Sequence, residues 1–398
     1  MDILKLKILA AKYADKVIEF RHHLHANPEL SFQENETSQF IIKFLTNNKI
    51  SFKNNIAGNG ILAIIEGSKP GKTIALRADI DALPITEQNI CSYKSQNTGV
   101  MHACGHDVHT SSLMGVILIL NELKSELSGK FLFVFQPAEE KLPGGAKQML
   151  ADGIFNEHKP EIVIAQHVNP SMKAGTVGFK SGMYMASTDE IYITVKGKGG
   201  HAAMPHQLTD TVLISSHIIV ALQQIVSRKA FAAIPSVLSF GKVIANGATN
   251  IIPDEVIIEG TFRTMNEEWR KEDLKEIELM SKSIAKSMGG DCDVRIMNGY
   301  PSLINNENIT EQSRKLSQEY LGAKNVIDMD IRMTAEDFSY FAQEYPATMY
   351  RLGTANNNED TNHPLHSSRF NIDESVLETT HGLMAWIAIN LTLNTNKE

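Results

Sequence analysis

The first half of the chain alternates between helical and extended hydrophobic patterns. Apolar residues recur at helical spacing over Ile3–Asn27 and Asn35–Asn48, and the first segment stops before Pro28. Short runs rich in β-branched residues predict strands, with helices between several of them. The predicted strands are Ile61–Glu66, Thr73–Ala78, Phe131–Gln136 and Glu161–Gln166, and the predicted helices among them are Thr110–Ser125 and Gly144–Gly153. This mixture predicts an α/β sheet with helices on its faces.

A second group of elements begins near Ser187. Its order is strand, helix, strand, strand, helix, strand, which is the βαββαβ order of the split, ferredoxin-like motif. The segments are Ile191–Val195, Asp210–Arg228, Ser236–Ile244, Glu255–Phe262, Glu267–Met288 and Cys292–Met297. We therefore expect one domain made of residues 1–185 and 299–398, with an inserted domain at 186–298.

The composition is that of a globular chain with a core large enough for two domains. Its 398 residues are 42% hydrophobic and 21% charged, and the net charge of −8 predicts no partner among nucleic acids or anionic membranes. No run of about 18 apolar residues occurs, so no membrane span is expected. The N-terminus lacks the pattern of a signal peptide. Three cysteines are too few for a disulfide framework, so we expect a cytoplasmic location.

Chemically active side chains cluster just before the predicted helix at Thr110. Cys104, His106 and His109 lie within six residues. Thiolate and imidazole are ligands that borderline-soft divalent metals prefer. Side chains two positions apart diverge on a helix but share one side of an extended segment. The cluster therefore predicts a metal-binding loop between a strand and a helix, where α/β sheets bind their ligands.

Further candidate ligands fall where other strands end or in loops. Glu139 and Glu140 follow one buried strand, His167 ends the next, and His366 lies in a polar loop. Adjacent carboxylates at a sheet end need a partner, and a metal supplies one. Because neighbouring side chains diverge, one glutamate could bind the metal while the other acts as general base for a metal-activated water.

Taken singly, each of these residues also has a structural explanation. Cys104 could be a small buried hydrophobe, His167 a hydrogen-bonded histidine, and the two glutamates the first turn of a helix. Asp79 and Asp81 could cap a turn before Pro84. We favour a metal site because one site accounts for all of these positions together.

Four motifs occur in order along the chain: Cys-Gly-His-Asp-x-His, Pro-Ala-Glu-Glu, a strand-end His and Leu-His-x-x-x-Phe. This ordered set resembles the metallo-amidohydrolases that include hippurate hydrolases, N-acyl-amino-acid amidohydrolases and plant auxin-conjugate hydrolases. The resemblance extends from about Phe20 to Leu391. The fourth motif covers Leu365–Phe370, and further segments that match in order are Arg77–Pro84, Gly197–His206, Asn250–Pro253 and Thr334–Phe338. The resemblance implies a metallopeptidase-type catalytic domain with a mixed sheet flanked by helices, and an inserted lid and dimerisation domain.

The resemblance also implies two divalent metal ions per subunit. Cys104 would bridge the two ions, His106 and His167 would hold one, and Glu140 and His366 would hold the other. Zinc suits thiolate and imidazole, but nickel, cobalt and manganese also accept such mixed ligands.

Other roles follow from the same resemblance. Glu139 matches the general base, and Asp81 and His109 match groups that orient the ligands. In more distant relatives the position of Asp79 holds a histidine ligand, which leaves the division of ligands between the two ions open.

Three residues of the insert match lid positions. His201 would reach the active site of a partner subunit and stabilise the oxyanion, which implies a homodimer. Asn250 and Arg263 would contact the carboxylate or carbonyl of the substrate.

The implied reaction is metal-dependent hydrolysis of the amide bond of N-acyl-L-amino acids. A dipeptidase or an N-acetyl-diaminopimelate deacetylase would use the same chemistry and stays open as an alternative. A non-catalytic small-molecule binder would be expected to lack a ligand or the base, and all six residues are present. A thiol redox protein would need a second cysteine three residues from Cys104, and the sequence has none there.

Overall fold

A computed structural model describes residues 1–356 and 361–393. Within it the chain forms two compact units. The first contains Met1–Gly182, Ile304–Asp330 and Asp337–Glu398, and the second contains Met183–Leu303 and Ile331–Glu336. The predicted insert, 186–298, lies inside the second unit.

The bounds of the elements are as follows. The helices are α1 (Ile3–Ala26), α2 (Asn35–Asn47), α3 (His106–Glu122), α4 (Gly145–Ala151), α5 (Thr211–Gln224), α6 (Glu267–Ser287), α7 (Glu307–Leu321), α8 (Ser339–Glu344) and α9 (Val376–Leu391). The strands are β1 (Ser51–Ile56), β2 (Gly60–Glu66), β3 (Lys69–Asp79), β4 (Ser128–Gln136), β5 (Ile162–Lys173), β6 (Val177–Phe179), β7 (Gly182–Met185), β8 (Asp189–Lys196), β9 (Gly200–His201), β10 (Ser236–Ile244), β11 (Ile251–Ile252), β12 (Glu255–Thr264), β13 (Asp291–Asn298), β14 (Leu303–Asn305), β15 (Val326–Asp328) and β16 (Ala347–Ala355).

The first unit is built on an eight-stranded mixed sheet. Its strand order is β1-β2-β4-β3-β5-β16-β6-β15. The four central strands, β4, β3, β5 and β16, run parallel, and antiparallel pairs occur towards both edges. Parallel strands in the middle of a sheet are covered on both faces, which explains why β4 is apolar at successive positions. Because these four strands share one direction, their carboxyl ends lie along the same edge of the sheet.

One core joins this sheet to helices α1, α2, α3, α7 and α9. Alternate residues of β3, namely Ile74, Leu76 and Ala78, point into that core. Helices α4 and α8 contact each other, and α4 also contacts β4 while α8 contacts β16. The predicted α/β sheet with helices packed against it is confirmed.

The second unit contains the predicted βαββαβ arrangement. Its four-stranded sheet has the order β10-β12-β8-β13, and all three neighbouring pairs are antiparallel. Helices α5 and α6 cover one face and share a core with the strands. Strands β9 and β11 form a separate two-stranded ribbon.

The segment Ile331–Glu336 differs from the predicted division of the chain. It was expected in the catalytic domain, and it belongs to the second unit instead. Arg332 forms a parallel bridge with Met185 and exchanges backbone hydrogen bonds with Tyr184 and Ala186. Such long-range backbone pairing leaves no signal in local hydrophobic periodicity.

One helical stretch, Thr211–Lys229, is long and apolar enough to cross a membrane by length and composition alone. The sequence had led us to expect no such stretch. Its apolar residues Ile214, Ile218, Leu222 and Ile225 pack in the core of the second unit, which accounts for much of its hydrophobicity.

Candidate active site

The carboxyl ends of β3 and β4 supply four acidic side chains to one edge of the sheet. Asp79 ends β3 and Asp81 follows it, while Glu139 and Glu140 follow β4 after Pro137. The two strands are paired and parallel, from Thr73 opposite Lys130 to Asp79 opposite Gln136. Both pairs of carboxylates therefore emerge side by side.

His167 lies inside β5 and not at its end, contrary to the prediction. Pairing between β5 and β3 stops at Ala165 opposite Arg77, whereas pairing with β16 continues through His167 opposite Arg351. The strand therefore extends to Lys173 on one side only. His167 borders the space beyond the end of β3, where the acidic residues lie.

The loop that carries Cys104 turns sharply into helix α3. The helix begins at His106, four residues before the predicted start at Thr110. Gly105 has a left-handed φ of 81°, and a Cβ at this position would lie 2.4 Å from Val168 Cγ2. Only glycine meets both conditions, so this residue lets the loop approach β5 closely.

The five predicted ligands lie together. The donor atoms of Cys104, His106 and His167 are within 4.8 Å of one another, and so are those of Cys104, Glu140 and His366. The sulfur of Cys104 is 3.5 Å from His167 Nε2, and His366 Nε2 is 3.3 Å from Glu140 Oε1. Cys104 is the residue that both groups share.

The hydrogen bonds made by Nδ1 of two histidines leave Nε2 of each directed at the other candidate ligands. His106 Nδ1 faces two acceptors of Asp81, its backbone oxygen at 2.9 Å and Oδ1 at 3.1 Å, so Nδ1 carries the proton. His167 Nδ1 donates to the backbone oxygen of Val168 at 2.8 Å. His106 Nε2 is buried and has no hydrogen-bond partner among the described residues. A buried, unpartnered imidazole nitrogen oriented by a carboxylate is the arrangement of a metal ligand.

The electrostatics of the cluster also favour a cation. Burial alone would lower the pKa of His106, but the charges of Asp79 and Asp81 outweigh burial and raise that pKa to about 10. Burial, together with the charge of Glu140, raises the pKa of the Cys104 thiol. Without a cation the site therefore holds protons against its excess of negative charge. A divalent cation would displace those protons and neutralise the charge.

Glu139 lies beside the predicted ligands. Its side chain is buried, and Oε2 is 3.9 Å from His106 Nε2. The preceding residue, Ala138, has a left-handed φ of 51°, which turns the chain so that both glutamates face the cluster. Glu139, Glu140 and His106 have donor atoms within 4.8 Å of one another.

His366 reaches the cluster from the polar loop. Its backbone has a φ of 64°, and its N–H donates to the backbone oxygen of Ala103 at 2.8 Å. This bond fixes the loop beside Cys104. A hydrogen bond from His366 to Glu140 raises the pKa of the imidazole.

His109 links the ends of two strands. Its Nδ1 lies 2.6 Å from Asp79 Oδ1, and the backbone N–H of Val168 donates to its Nε2 at 3.0 Å. Burial lowers the pKa of His109, so the ring is neutral and its single proton is on Nδ1. His109 therefore orients the backbone next to His167.

Sequence reasoning gave Asp79 no role beyond a turn. In the structure it accepts from Arg77 at 2.7 Å as well as from His109, and its Oδ2 is 3.6 Å from His106 Nε2. The alternation of Asp79 and Asp81 was a usable signal, because residues two apart at the end of a strand face the same side.

The other predicted residues belong to the second unit. His201 lies on β9 opposite Ile251 of β11, and the N–H of Ala202 donates to the backbone oxygen of Asn250. His201 and Asn250 are therefore close along one exposed ribbon. Arg263 lies on β12, half-buried, with Nη1 at 3.4 Å from the backbone oxygen of Met333.

Comparison with known proteins places the chain in a family. The model of peptidase family M20/M25/M40 matches residues 75–388. The chain belongs to this family. Its members are hydrolases, so the predicted family, the predicted metallopeptidase-type fold and the prediction of a metal-dependent amidohydrolase are confirmed.

Several M20 relatives resemble the chain over most of its length. It is 38% identical to the N-acetyl-L-cysteine deacetylase of Bacillus subtilis, covering 94% of this chain and 89% of the relative. It is 40% identical to the N-acyl-L-amino acid amidohydrolase of Geobacillus stearothermophilus, covering 76% and 81%. The solved structure of the Bacillus subtilis YXEP protein, described as a dinuclear metal-binding peptidase, is 31% identical with a TM-score of 0.82, covering 96% and 99%.

Proposed function

We propose that this M20 hydrolase removes the acyl group from N-acyl-L-amino acids with two divalent cations bound by the cluster. Cys104 would bridge the cations, with His106 and His167 on one side and Glu140 and His366 on the other. The observation that carries the proposal is that two groups of ligand atoms share the sulfur of Cys104. Thiolate, imidazole and carboxylate together suit zinc, nickel, cobalt or manganese.

The role of Glu139 follows from its place beside the ligands. When bound, the cations would supply a water molecule of lowered pKa and polarise the substrate carbonyl. Glu139 accepts the proton of the attacking water and returns it to the amine that leaves. Its burial keeps bulk water away from the carboxylate during both transfers.

His201 is suited to stabilise the oxyanion. The backbone N–H of Ala203 donates to His201 Nδ1 at 3.1 Å, so the proton of the neutral ring is on Nε2. Nε2–H is then an exposed donor held by a short ribbon, and one such donor is commonly worth about 3 kcal/mol in the transition state. Asn250 on the same ribbon and Arg263 on β12 would contact the substrate's carboxylate or carbonyl.

The second unit has features that suit a homodimer. Strand β10 is an edge of the four-stranded sheet and exposes Val237 and Val243. The neighbouring helix α5 exposes Val212, Leu213 and Val220, of which Val220 is 74% exposed. An edge strand beside apolar helix residues is the kind of surface that pairs with a second copy of itself. We infer that His201 acts in the site of the partner subunit of such a dimer.

The choice of substrate rests on the M20 relatives. Both named relatives act, by their names, on N-acyl amino acids, and we extend that substrate class to this chain. A panel of N-acetyl amino acids, N-benzoyl amino acids, N-acetyl-diaminopimelate and dipeptides tests this choice. Highest kcat/KM on the N-acetyl or N-benzoyl amino acids supports this choice. Highest kcat/KM on N-acetyl-diaminopimelate favours the deacetylase alternative, and highest kcat/KM on dipeptides favours the dipeptidase alternative.

The roles of the two adjacent glutamates can be separated by matched variants. Glu139→Gln should lower kcat by about 10²–10⁴-fold and keep both metals, because it removes only the base. Glu140→Gln should lose affinity for one metal. Metal analysis and steady-state rates on both purified variants make the comparison. A Glu139→Gln enzyme with wild-type kcat would contradict the assignment.

A further inference from the structure

Glu34 lies at the N-cap of α2, yet its side chain does not cap that helix. It is fully buried, although long acidic side chains are seldom buried without partners. Its Oε1 accepts from the backbone N–H of Phe32 at 2.9 Å and from that of Ala138 at 2.8 Å. Its Oε2 accepts from Asn59 Nδ2 at 3.0 Å.

The two backbone groups bound by Glu34 Oε1 share an unusual conformation. Phe32 has a φ of 67° and Ala138 a φ of 51°. In this left-handed region the backbone of residues other than glycine is strained. Strained backbone persists only where the surroundings hold it in place. One carboxylate oxygen therefore stabilises two strained residues, and the second of them directly precedes the proposed general base.

A second buried carboxylate holds the other side of Glu139. Asp81 Oδ2 accepts from the N–H of Glu140 at 3.0 Å and from the hydroxyl of Ser31 at 2.6 Å. The N–H groups on either side of Glu139 are thus bound by two carboxylates. Asp81 has a further tie to the site through His106, whereas Glu34 is hydrogen-bonded to the site through the N–H of Ala138.

We propose that Glu34 is a positioning residue for the reaction: by fixing the Ala138 turn, it holds Glu139 and Glu140 in their working orientation. The proposal rests on the proposed roles of those two glutamates. A misplacement of about 1 Å at a catalytic group can cost about 10²-fold in rate. Because one turn carries both glutamates, loss of Glu34 should affect proton transfer and one of the two metal positions together.

The test compares variants of Glu34 with a matched control. Glu34→Leu should lower kcat about 10- to 100-fold with KM within about twofold, and should weaken about 10-fold only the metal held by Glu140 and His366. Glu34→Gln should keep kcat within about threefold, because its oxygen still accepts from both N–H groups and Asn59 can rotate its amide to match. Glu34→Asp is too short to reach both groups and should lower kcat about 10-fold.

Asn59→Ala is the control, since it removes a bond to the same carboxylate but leaves the Ala138 turn held. It should lower the melting temperature without changing kcat or metal binding. If the role of Glu34 were purely structural, Glu34→Leu would also have a lower melting temperature with unchanged kcat and metal binding. Wild-type kcat and binding of both metals in Glu34→Leu would therefore overturn the proposal. If Glu34→Leu does not fold, wild-type kcat in Glu34→Asp overturns it. Glu139→Gln, measured alongside, tests the role of Glu139 separately, so that failure of the Glu34 proposal and failure of the proposed function can be told apart.

Discussion

At the scale of single residues, the candidate site depends on groups that fix the ligands. Asp81 orients the ring of His106 through Nδ1, and the carbonyl of Val168 does the same for His167. His109 then ties the backbone of Val168 to Asp79. Supporting bonds of this kind commonly change metal affinity by about 10- to 100-fold when they are lost.

His109→Phe should therefore weaken metal binding about 10- to 100-fold. The phenyl ring fills a similar space, but it leaves the N–H of Val168 and Oδ1 of Asp79 without their bonds. Metal titration of the stripped protein measures the effect. His381→Phe makes the same change at another buried histidine, on α9, and should leave metal affinity unchanged. Equal metal affinity in His109→Phe and wild type would rule out the proposed role of His109.

Residue types and spacing sufficed to select the five candidate ligands that the fold brings together, because thiol, imidazole and carboxylate groups are few and lie in recognisable motifs. Glu34 could not be predicted in this way. Its position at the start of a helix is ordinary for an acidic residue, and its contact with Ala138 spans 104 positions of the chain. Only the fold shows that the two meet.

At the scale of elements, helix α6 contains a buried acid. Asp273 is 3% exposed, and its Oδ2 has no hydrogen-bond partner within the part of the chain that the structure describes. Burial, with the added charge of Glu272, raises its pKa to about 6 against the attraction of Lys229. The folded state therefore prefers the neutral form of this group.

The sign of the pH effect follows from linkage. The folded pKa lies above the unfolded one, so Asp273 lowers the free energy of unfolding as pH rises from about 4 to about 6, and the cost is constant above that. Asp273→Asn removes the charge and should stabilise the protein by about 1–2 kcal/mol at pH 8. The gain should shrink towards pH 4. Urea unfolding at several pH values checks this.

Asp291→Asn, an exposed position on β13, is the control and should show no such trend. If Asp273→Asn does not raise the free energy of unfolding at pH 8, or if the increase grows towards pH 4, the assignment of this pH effect to Asp273 is wrong.

The limits of elements were predicted less well than their existence. The order of the six main elements of the second unit was predictable from the hydrophobic pattern, which is clearest in β8, where buried and half-buried residues alternate. The start of α3 at His106 could not be predicted in this way, since it depends on the close approach of Gly105 to Val168. The extension of β5 past His167 could not be predicted either, since it depends on pairing with β16.

At the scale of the whole molecule, activity is expected to depend on assembly. If the exposed residues of β10 and α5 form a dimer, a charge at this surface should separate the subunits. Val243→Lys is suited to this test because the side chain of Val243 is 51% exposed, so replacing it removes no group from the core. Light scattering should give a dimer for the wild type and a monomer for Val243→Lys, with lower kcat and unchanged metal content.

Leu279→Lys places the same charge at an exposed apolar residue of α6 and should remain dimeric and active. A wild-type protein that is monomeric at assay concentration and fully active would mean that His201 does not act in a partner subunit.

We propose above all that this M20 hydrolase holds two metal ions through one shared sulfur. Anomalous diffraction from crystals of the purified enzyme, recorded at the absorption edge of the bound metal, tests it most directly. We predict two peaks per chain, one among Cys104, His106 and His167 and the other among Cys104, Glu140 and His366. A single peak, or two peaks with the sulfur of Cys104 bonded to neither, would contradict the account.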